Sequence, residues 1–313
     1  MNIGLDMMGG DFAPLEAVKG LQTYLAQSAQ PANIFCIGDE GHVKNLLLDH
    51  KVPTSDVKIV HAGQVIDMHE QATKAFKEKP DSSIAVGFHM LASGKIDGFI
   101  SAGNTGAMLV GALYSIKAIA GVQRPAIASI VPKMNGSTGI LLDVGLNADC
   151  KPENLNQFGL LGSLYARNVF DIENPKVGLL NVGEEEGKGN ILTQAAFQLL
   201  KENRDINFIG NIEGRDVFQD KADVMVCEGF TGNIVLKLAE SLFDAAKQLS
   251  IDNNFLHRFN YENVGGTPVL GVAKPVVIGH GISSGNAFFN MIRLAEKMIF
   301  SNLCGEITEK FRP

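Results

Sequence analysis

Short apolar, β-branched segments alternate with helix-patterned ones along almost the whole chain, and this alternation limits the possible folds more than any other feature. Strand-like runs fall at 1–6, 34–37, 57–60, 98–100, 126–131, 140–144, 177–182, 208–210, 224–227 and 276–278. Between many of them, at 15–26, 73–76, 83–91, 107–119, 155–167, 191–201 and 287–299, apolar residues recur every three or four positions. The strand-like runs are apolar throughout rather than alternating, so both their faces are buried. Strands covered on both sides by helices make an α/β fold, an αβα sandwich around a largely parallel sheet. No internal repeat, charge block or low-complexity linker interrupts the alternation. Residues 1–313 therefore read as one continuous domain with room for two lobes and for a sizeable core.

Lys and Arg number 27 against 34 Asp and Glu, a net charge of −7 that opposes general attraction to nucleic acid or anionic lipid. Cys36, Cys150, Cys227 and Cys304 are widely spaced, with no C-x-x-C pair and no nearby His at ligand spacing. That usage suits a reducing compartment, and buried thiols acting as small hydrophobes, better than disulfides, a metal site or a nucleophile. The start of the chain lacks a basic segment followed by an apolar one, and no run is long and apolar enough to span a bilayer. The expected location is the cytoplasm.

Ser101-Ala-Gly-Asn-Thr-Gly-Ala107 joins a strand-like run to a helical pattern. Such a turn can cradle an anion, with Gly103 and Gly106 letting it approach the main chain and Asn104 and Thr105 adding donors. A tight turn whose Asn and Thr only cap the helix is the competing reading. The spacing matches neither G-x-G-x-x-G nor the P-loop. Five further segments follow apolar runs and mix glycine with polar residues: 6–11, 143–147, 181–190, 228–233 and 279–284. Lys188, between Gly187 and Gly189, can swing its ammonium toward a phosphate or a developing oxyanion, whereas Glu184 to Glu186 reads as a solvated run. His280 is a candidate proton carrier or a structural imidazole. Because ligands in open α/β sheets collect where strands end, these segments are expected around one crevice.

In order, Asp6-Met-Met-Gly-Gly-Asp-Phe12, Asp81-Ser-Ser83, Ser101 to Ala107, Arg124-Pro-Ala126, Leu142-Asp-Val-Gly145, Asn211-Ile-Glu-Gly-Arg-Asp216, Gly229-Phe-Thr-Gly-Asn233, Gly265-Gly266 and Gly279-His-Gly281 resemble the PlsX family of phosphate acyltransferases of bacterial phospholipid synthesis. The resemblance implies a Rossmann-like fold related to isopropylmalate dehydrogenases and phosphotransacetylases, and a homodimer. It implies formation of acyl phosphate from fatty acyl-acyl carrier protein and inorganic phosphate, with no cofactor or metal, and a downstream glycerol-3-phosphate acyltransferase. Phosphate itself attacks the thioester in such a reaction, so the protein must supply a cradle, oxyanion donors and help for the departing thiol. On that basis Gly103, Asn104, Thr105 and Gly106 are assigned to the cradle, and Lys188 and Asn233 to phosphate or oxyanion contacts. His280 and Ser283 are placed near the leaving group, with Asp6, Asp143 and Asn147 orienting donors.

The sequence departs from the family pattern at Ala72, where proline is usual, and at Lys77, where arginine is common. The stretch 234–264 is also short where relatives carry a long amphipathic helical pair. Its apolar residues (Leu238, Leu242, Ala245, Ala246 and Leu249, then Phe255, Leu256 and Phe259) are expected to pack on the core or a second subunit, with weak membrane contact at most. An acidic carrier protein needs a local basic surface, for which Lys237, Lys247, Arg258, Arg293 and Lys297 are candidates. The competing functions are a non-catalytic scaffold that binds carrier protein and a nicotinamide-dependent dehydrogenase, the latter disfavoured by the missing dinucleotide fingerprint.

Overall fold

The computed structural model describes residues 1–312. In chain order the first elements are β1 (Asn2–Asp6), α1 (Leu15–Gln27), β2 (Asn33–Gly38), α2 (Glu40–Asp49), β3 (Val57–His61), α3 (Ala72–Glu78), α4 (Ser83–Ala92), β4 (Gly98–Ser101) and α5 (Thr105–Gly111). Then come β5 (Ala126–Pro132), β6 (Thr138–Leu142), α6 (Pro152–Phe170), β7 (Lys176–Asn181), α7 (Ile191–Glu202), β8 (Asn207–Glu213), β9 (Val224–Val226), α8 (Gly229–Gln248) and α9 (Asn254–His257). The chain closes with α10 (Tyr261–Val264), β10 (Gly266–Leu270), β11 (Val276–Gly279), α11 (Gly285–Phe300) and α12 (Leu303–Lys310). These elements fall into two compact units, the first made of Met1–Ala118 with Tyr261–Cys304, the second of Ile119–Asn260 with the residues from Gly305.

The first unit orders its strands β3-β2-β1-β4-β11-β10, all parallel except the last pair. All four residues of β4 are buried, as the unbroken apolar run requires of a central strand. Phe88 of α4 packs edge-on against Phe99 of β4 with ring centroids 5.1 Å apart. Gly87 is what lets α4 lie so close, since a Cβ there would sit 2.2 Å from the Phe99 ring. Truncating either ring to Ala would cost about 3–5 kcal/mol. The pattern at 107–119 predicts one helix, but α5 loosens into a π-turn at Ala112–Ile116 and stops where Lys117 adopts φ 68°.

The second unit orders its strands β5-β6-β9-β7-β8, with β5 and β6 antiparallel and the rest parallel. Pro152 opens α6 at a position whose N–H would be unpaired anyway, and the helix lays Leu155, Phe158 and Leu161 into the core. At the β5–β6 turn the Lys133 side chain is fully buried. Its ammonium donates to Asp223 at 2.7 Å and to Asp220 at 3.1 Å, partners that a buried cation requires.

The segment after α8 does not form an exposed tip through its phenylalanines. Phe255 and Phe259 close edge-on around Phe218, Phe259 is 6% exposed, and Arg258 donates to the carbonyls of Lys133 and Ser137. Packing on the core, one of the two expectations for this stretch, is thus realised for Phe255 and Phe259. Arg258 is spent as a brace and is no longer a candidate for docking. Apolar residues stay exposed along α8 at Phe230, Ile234 and Leu238, four residues apart, and just beyond it at Leu249 and Ile251, so Leu238 and Leu249 do not pack on the core. Among the described residues no helix is long and apolar enough to cross a membrane.

Candidate active site

Strand register assembles the polar turns within each unit. In the first, Leu5 pairs with Ile100 and Ile278 with Ser101, so the turns that follow β1, β4 and β11 leave neighbouring parallel strands at the same sheet edge. That is where ligands bind in open α/β sheets. The Asp11 N–H donates to the Gly281 carbonyl at 2.7 Å, joining two of these turns. Gly10, at φ 102°, adopts a conformation suited to glycine.

Asp6 is fully buried and accepts from the Ser101 hydroxyl at 2.6 Å and from the Met8 N–H at 2.9 Å. Burial raises its pKa above the ordinary carboxylate value, opposed by hydrogen bonds from Ser101, Ser83, Met8 and Gly9. The Ser101 oxygen in turn accepts from the Gly103 N–H at 2.9 Å. Gly103 therefore spends on Ser101 the donor that the sequence assigned to an anion.

Asn104 also spends its side chain inside the fold. Its oxygen caps α5 by accepting from Ala107 N–H at 3.0 Å. Its amide nitrogen faces the carbonyls of Asp67, Met68 and Glu70 at 2.9, 3.2 and 3.1 Å. The capping reading of this turn thus holds for Asn104, which also buckles the 67–70 loop to it. Thr105 is exposed and Gly106 half-buried, so these two remain accessible. Ala72, the departure from the family pattern, lies close to Gly106, where a Cβ would come 2.7 Å from the Ala72 methyl.

His280 is half-buried just beyond β11, and its carbonyl accepts from Ser283 N–H at 2.9 Å. Ser283 is buried, with a hydroxyl oxygen that has no hydrogen-bond partner among the described residues. The nearby start of α11 is already served by a carboxylate, since Gly285 N–H donates to Glu16 at 2.6 Å.

In the second unit the turns follow β6, β9 and β7, which are adjacent and parallel. Asp143, fully buried, gathers the 143–147 turn around its carboxylate. One oxygen accepts from the N–H groups of Ile127, Gly145 and Leu146 at 3.0, 3.3 and 3.2 Å; the other accepts from the backbone and amide of Asn147 at 2.6 and 2.8 Å. Asn147 also donates to the Pro125 carbonyl at 2.8 Å. The orienting role expected of both residues is what this geometry can do.

Asn233 is exposed just past the first turn of α8 and donates to the Val144 carbonyl at 3.1 Å, so it is tied to the Asp143 turn. The start of α8 holds its own anion: Glu228 accepts from Phe230 N–H at 2.6 Å and from Thr231 N–H at 3.0 Å. Sequence reasoning assigns Glu228 no role, although a carboxylate three residues ahead of Thr231 is a capping signal.

Lys188 is exposed in the 182–190 loop, and its ammonium forms no ion pair among the described residues. The loop is anchored instead through main chain and amides: Asn181 donates to the Lys188 carbonyl at 3.1 Å, and Asn211 to the Glu185 carbonyl at 2.9 Å. Carboxylate oxygens of Glu184, Glu213 and Asp216 lie within 4.8 Å of one another, as metal ligands would. Lys221 donates to Glu184 at 2.6 Å and to Asp216 at 2.8 Å, so an ammonium already balances this cluster.

None of the thiols suits nucleophilic attack. Burial pushes Cys36 and Cys304 up to about 12, Cys150 to about 11, and Cys227 well above its ordinary value.

Residues 1–306 match the model of a family described as fatty acid synthesis protein. A phosphate acyltransferase of Dictyoglomus turgidum is 43% identical over 318 residues, covering 96% of this chain and 94% of the relative. One from Halothermothrix orenii is 41% identical, covering 99% and 98%. Among solved structures, the EutD phosphotransacetylase from Staphylococcus aureus superposes with a TM-score of 0.65 at 19% identity, over 95% of this chain and 94% of the other. A branched-chain phosphotransacylase from Enterococcus faecalis V583 gives 0.64 at 16%, over 96% and 99%. At such identities these structures establish the fold alone. The sequence matches establish more: the chain belongs to the phosphate acyltransferase family, and it is an enzyme of that kind.

Proposed function

We propose that this enzyme forms acyl phosphate from a fatty acyl thioester on acyl carrier protein and inorganic phosphate, feeding phospholipid synthesis. The observation that carries the proposal is the match to phosphate acyltransferases over nearly the full length of both chains. A phosphate oxygen attacks the thioester carbonyl carbon, a tetrahedral oxyanion forms, and the C–S bond breaks as the thiolate takes up a proton. The raised pKa values of the four thiols favour this direct attack over an acyl-cysteine intermediate.

In the proposed division of labour, Thr105 and Gly106 contact phosphate, while Gly103 and Asn104 hold the shape of their turn. Lys188 and Asn233 supply charge and a donor to phosphate or the oxyanion, where a preorganised donor contributes about 10²–10³ in rate. His280 and Ser283 serve the departing thiol. Asp6, Asp143 and Asn147 fix the turns. A homodimer, weak contact with a membrane surface and hand-over to a glycerol-3-phosphate acyltransferase complete the proposal, and the exposed α8 residues Phe230, Ile234 and Leu238 support the first two.

The test is to incubate the full chain with acylated carrier protein with and without phosphate and to trap acyl phosphate with hydroxylamine. Trapped product that requires phosphate is expected. Thioester loss that ignores phosphate, or acyl mass retained on the enzyme, would refute the proposed reaction.

A further inference from the structure

Ser101 stands between two groups that constrain its hydrogen in opposite ways. A hydroxyl has one hydrogen to give and two lone pairs to receive with. The Gly103 N–H, 2.9 Å away, can only donate, so the Ser101 hydrogen has to point elsewhere. Asp6, 2.6 Å away on the other side, receives it. The second Asp6 oxygen accepts from the Met8 N–H at 2.9 Å, and the Ser83 side chain and the Gly9 backbone also hydrogen-bond the carboxylate.

The chain therefore runs one way, from Gly103 N–H through the Ser101 hydroxyl to Asp6. Solvent has no room to replace any link. A Cβ added to Gly9 would lie 2.6 Å from the Asp6 oxygen, 2.6 Å from the Gly103 nitrogen and 2.8 Å from the Ser101 oxygen.

We infer that Ser101, polarised by Asp6, is a positioning residue for phosphate: it turns the Gly103 N–H inward and so sets the backbone that presents Thr105 and Gly106. The role rests on the Ser101–Gly106 turn being the phosphate cradle, and it deepens that assignment by naming what fixes the cradle's shape. It depends on the direction of the relay, not merely on filled space. Asp6→Asn is nearly isosteric, yet its amide offers one acceptor where the carboxylate offers two. Either Met8 N–H or the Ser101 hydroxyl then faces a donor.

The experiment uses the full chain with inorganic phosphate as the probe, read by calorimetric titration and by steady-state kinetics with the KM for phosphate and for acylated carrier protein determined separately. Ser101→Ala leaves the Gly103 N–H without an acceptor. It is expected to weaken phosphate binding about ten-fold and to raise the phosphate KM alike, with the KM for carrier protein little changed. Asp6→Asn should do at least as much, and the double variant no more than Asp6→Asn, because both changes cut one relay.

If Asp6→Asn does not fold, Ser101→Ala alone decides. Wild-type phosphate affinity in folded Ser101→Ala, or equal increases in both KM values, would overturn the inference while leaving the proposed reaction intact. Phosphate binding that weakens in Ser101→Ala although the wild type makes no acyl phosphate would uphold the relay and sink the reaction. Absence of phosphate binding by the wild type would overturn both.

Discussion

Asp6 and Asp143 occupy comparable places, each fully buried where a strand ends, and they hold their turns in different ways. Asp143 takes five donors directly, four of them backbone N–H groups, and is the hub of its turn. Asp6 holds its own turn directly through Met8 N–H but reaches the 101–107 turn at one remove, through a hydroxyl that in turn receives from Gly103. A carboxylate saturated by the main chain stabilises; one that works through Ser101 tunes geometry. The same contrast separates the two units' candidate donors. Gly103 and Asn104 are consumed internally, whereas Lys188 stays exposed on a loop tied down by its backbone.

The sharpest way to break the comparison is Asp143→Ala, which strands several buried N–H groups at once. It should cost at least about 3 kcal/mol in urea unfolding, and a loss below about 1 kcal/mol would deny Asp143 its role as hub. Lys188→Ala should behave in the opposite manner. Turnover is expected to fall about 100-fold with an unchanged thermal midpoint, because the ammonium supports no ion pair among the described residues. An equal fall in stability would move Lys188 to the structural side.

A smaller effect is expected at Asn104. Asn104→Ala removes both the cap and the buckle and should cost about 2 kcal/mol, while Asn104→Ser retains a cap acceptor and should cost about 1 kcal/mol. Hydrogen exchange at residues 67–70 should rise in both variants, and unchanged protection would show that the buckle is dispensable.

The smallest effect is the pH dependence contributed by Asp6. Its native pKa is raised, so between the ordinary carboxylate value and that raised value the native state binds more protons than the unfolded one. Stability contributed by this group is full at low pH and declines as pH rises through that window, then levels off. Activity should run the other way, since the relay needs the ionised carboxylate. Comparing wild type with Asp6→Asn in unfolding titrations at several pH values checks the sign, and a difference that grows with pH in the wild type's favour would contradict it.

The central strands were legible because burial on both faces leaves an unbroken apolar run, as in Gly98–Ser101, whereas β3 and β8 at the sheet edges are only partly buried. β10 was not, since Gly266 and Pro268 argue against a strand and only its antiparallel pairing with β11 explains it. α2 was missed because just Val43 and Leu47 are buried, too few to mark a periodicity. Within the candidate site, local spacing revealed which turns matter but not how their donors are spent. Asn104 reaches carbonyls 34 to 37 residues away, and Ser101 reaches Asp6 across 95. Packing of Phe255 on Phe218 was hidden for the same reason, since sequence distance carries no signal of a ring contact.

Phosphorus NMR of the full chain mixed with fatty acyl-acyl carrier protein and inorganic phosphate follows acyl transfer to phosphate itself. An acyl phosphate resonance is expected that grows as the thioester disappears and collapses when hydroxylamine is added. Consumption of thioester with the phosphate resonance unchanged would contradict that transfer.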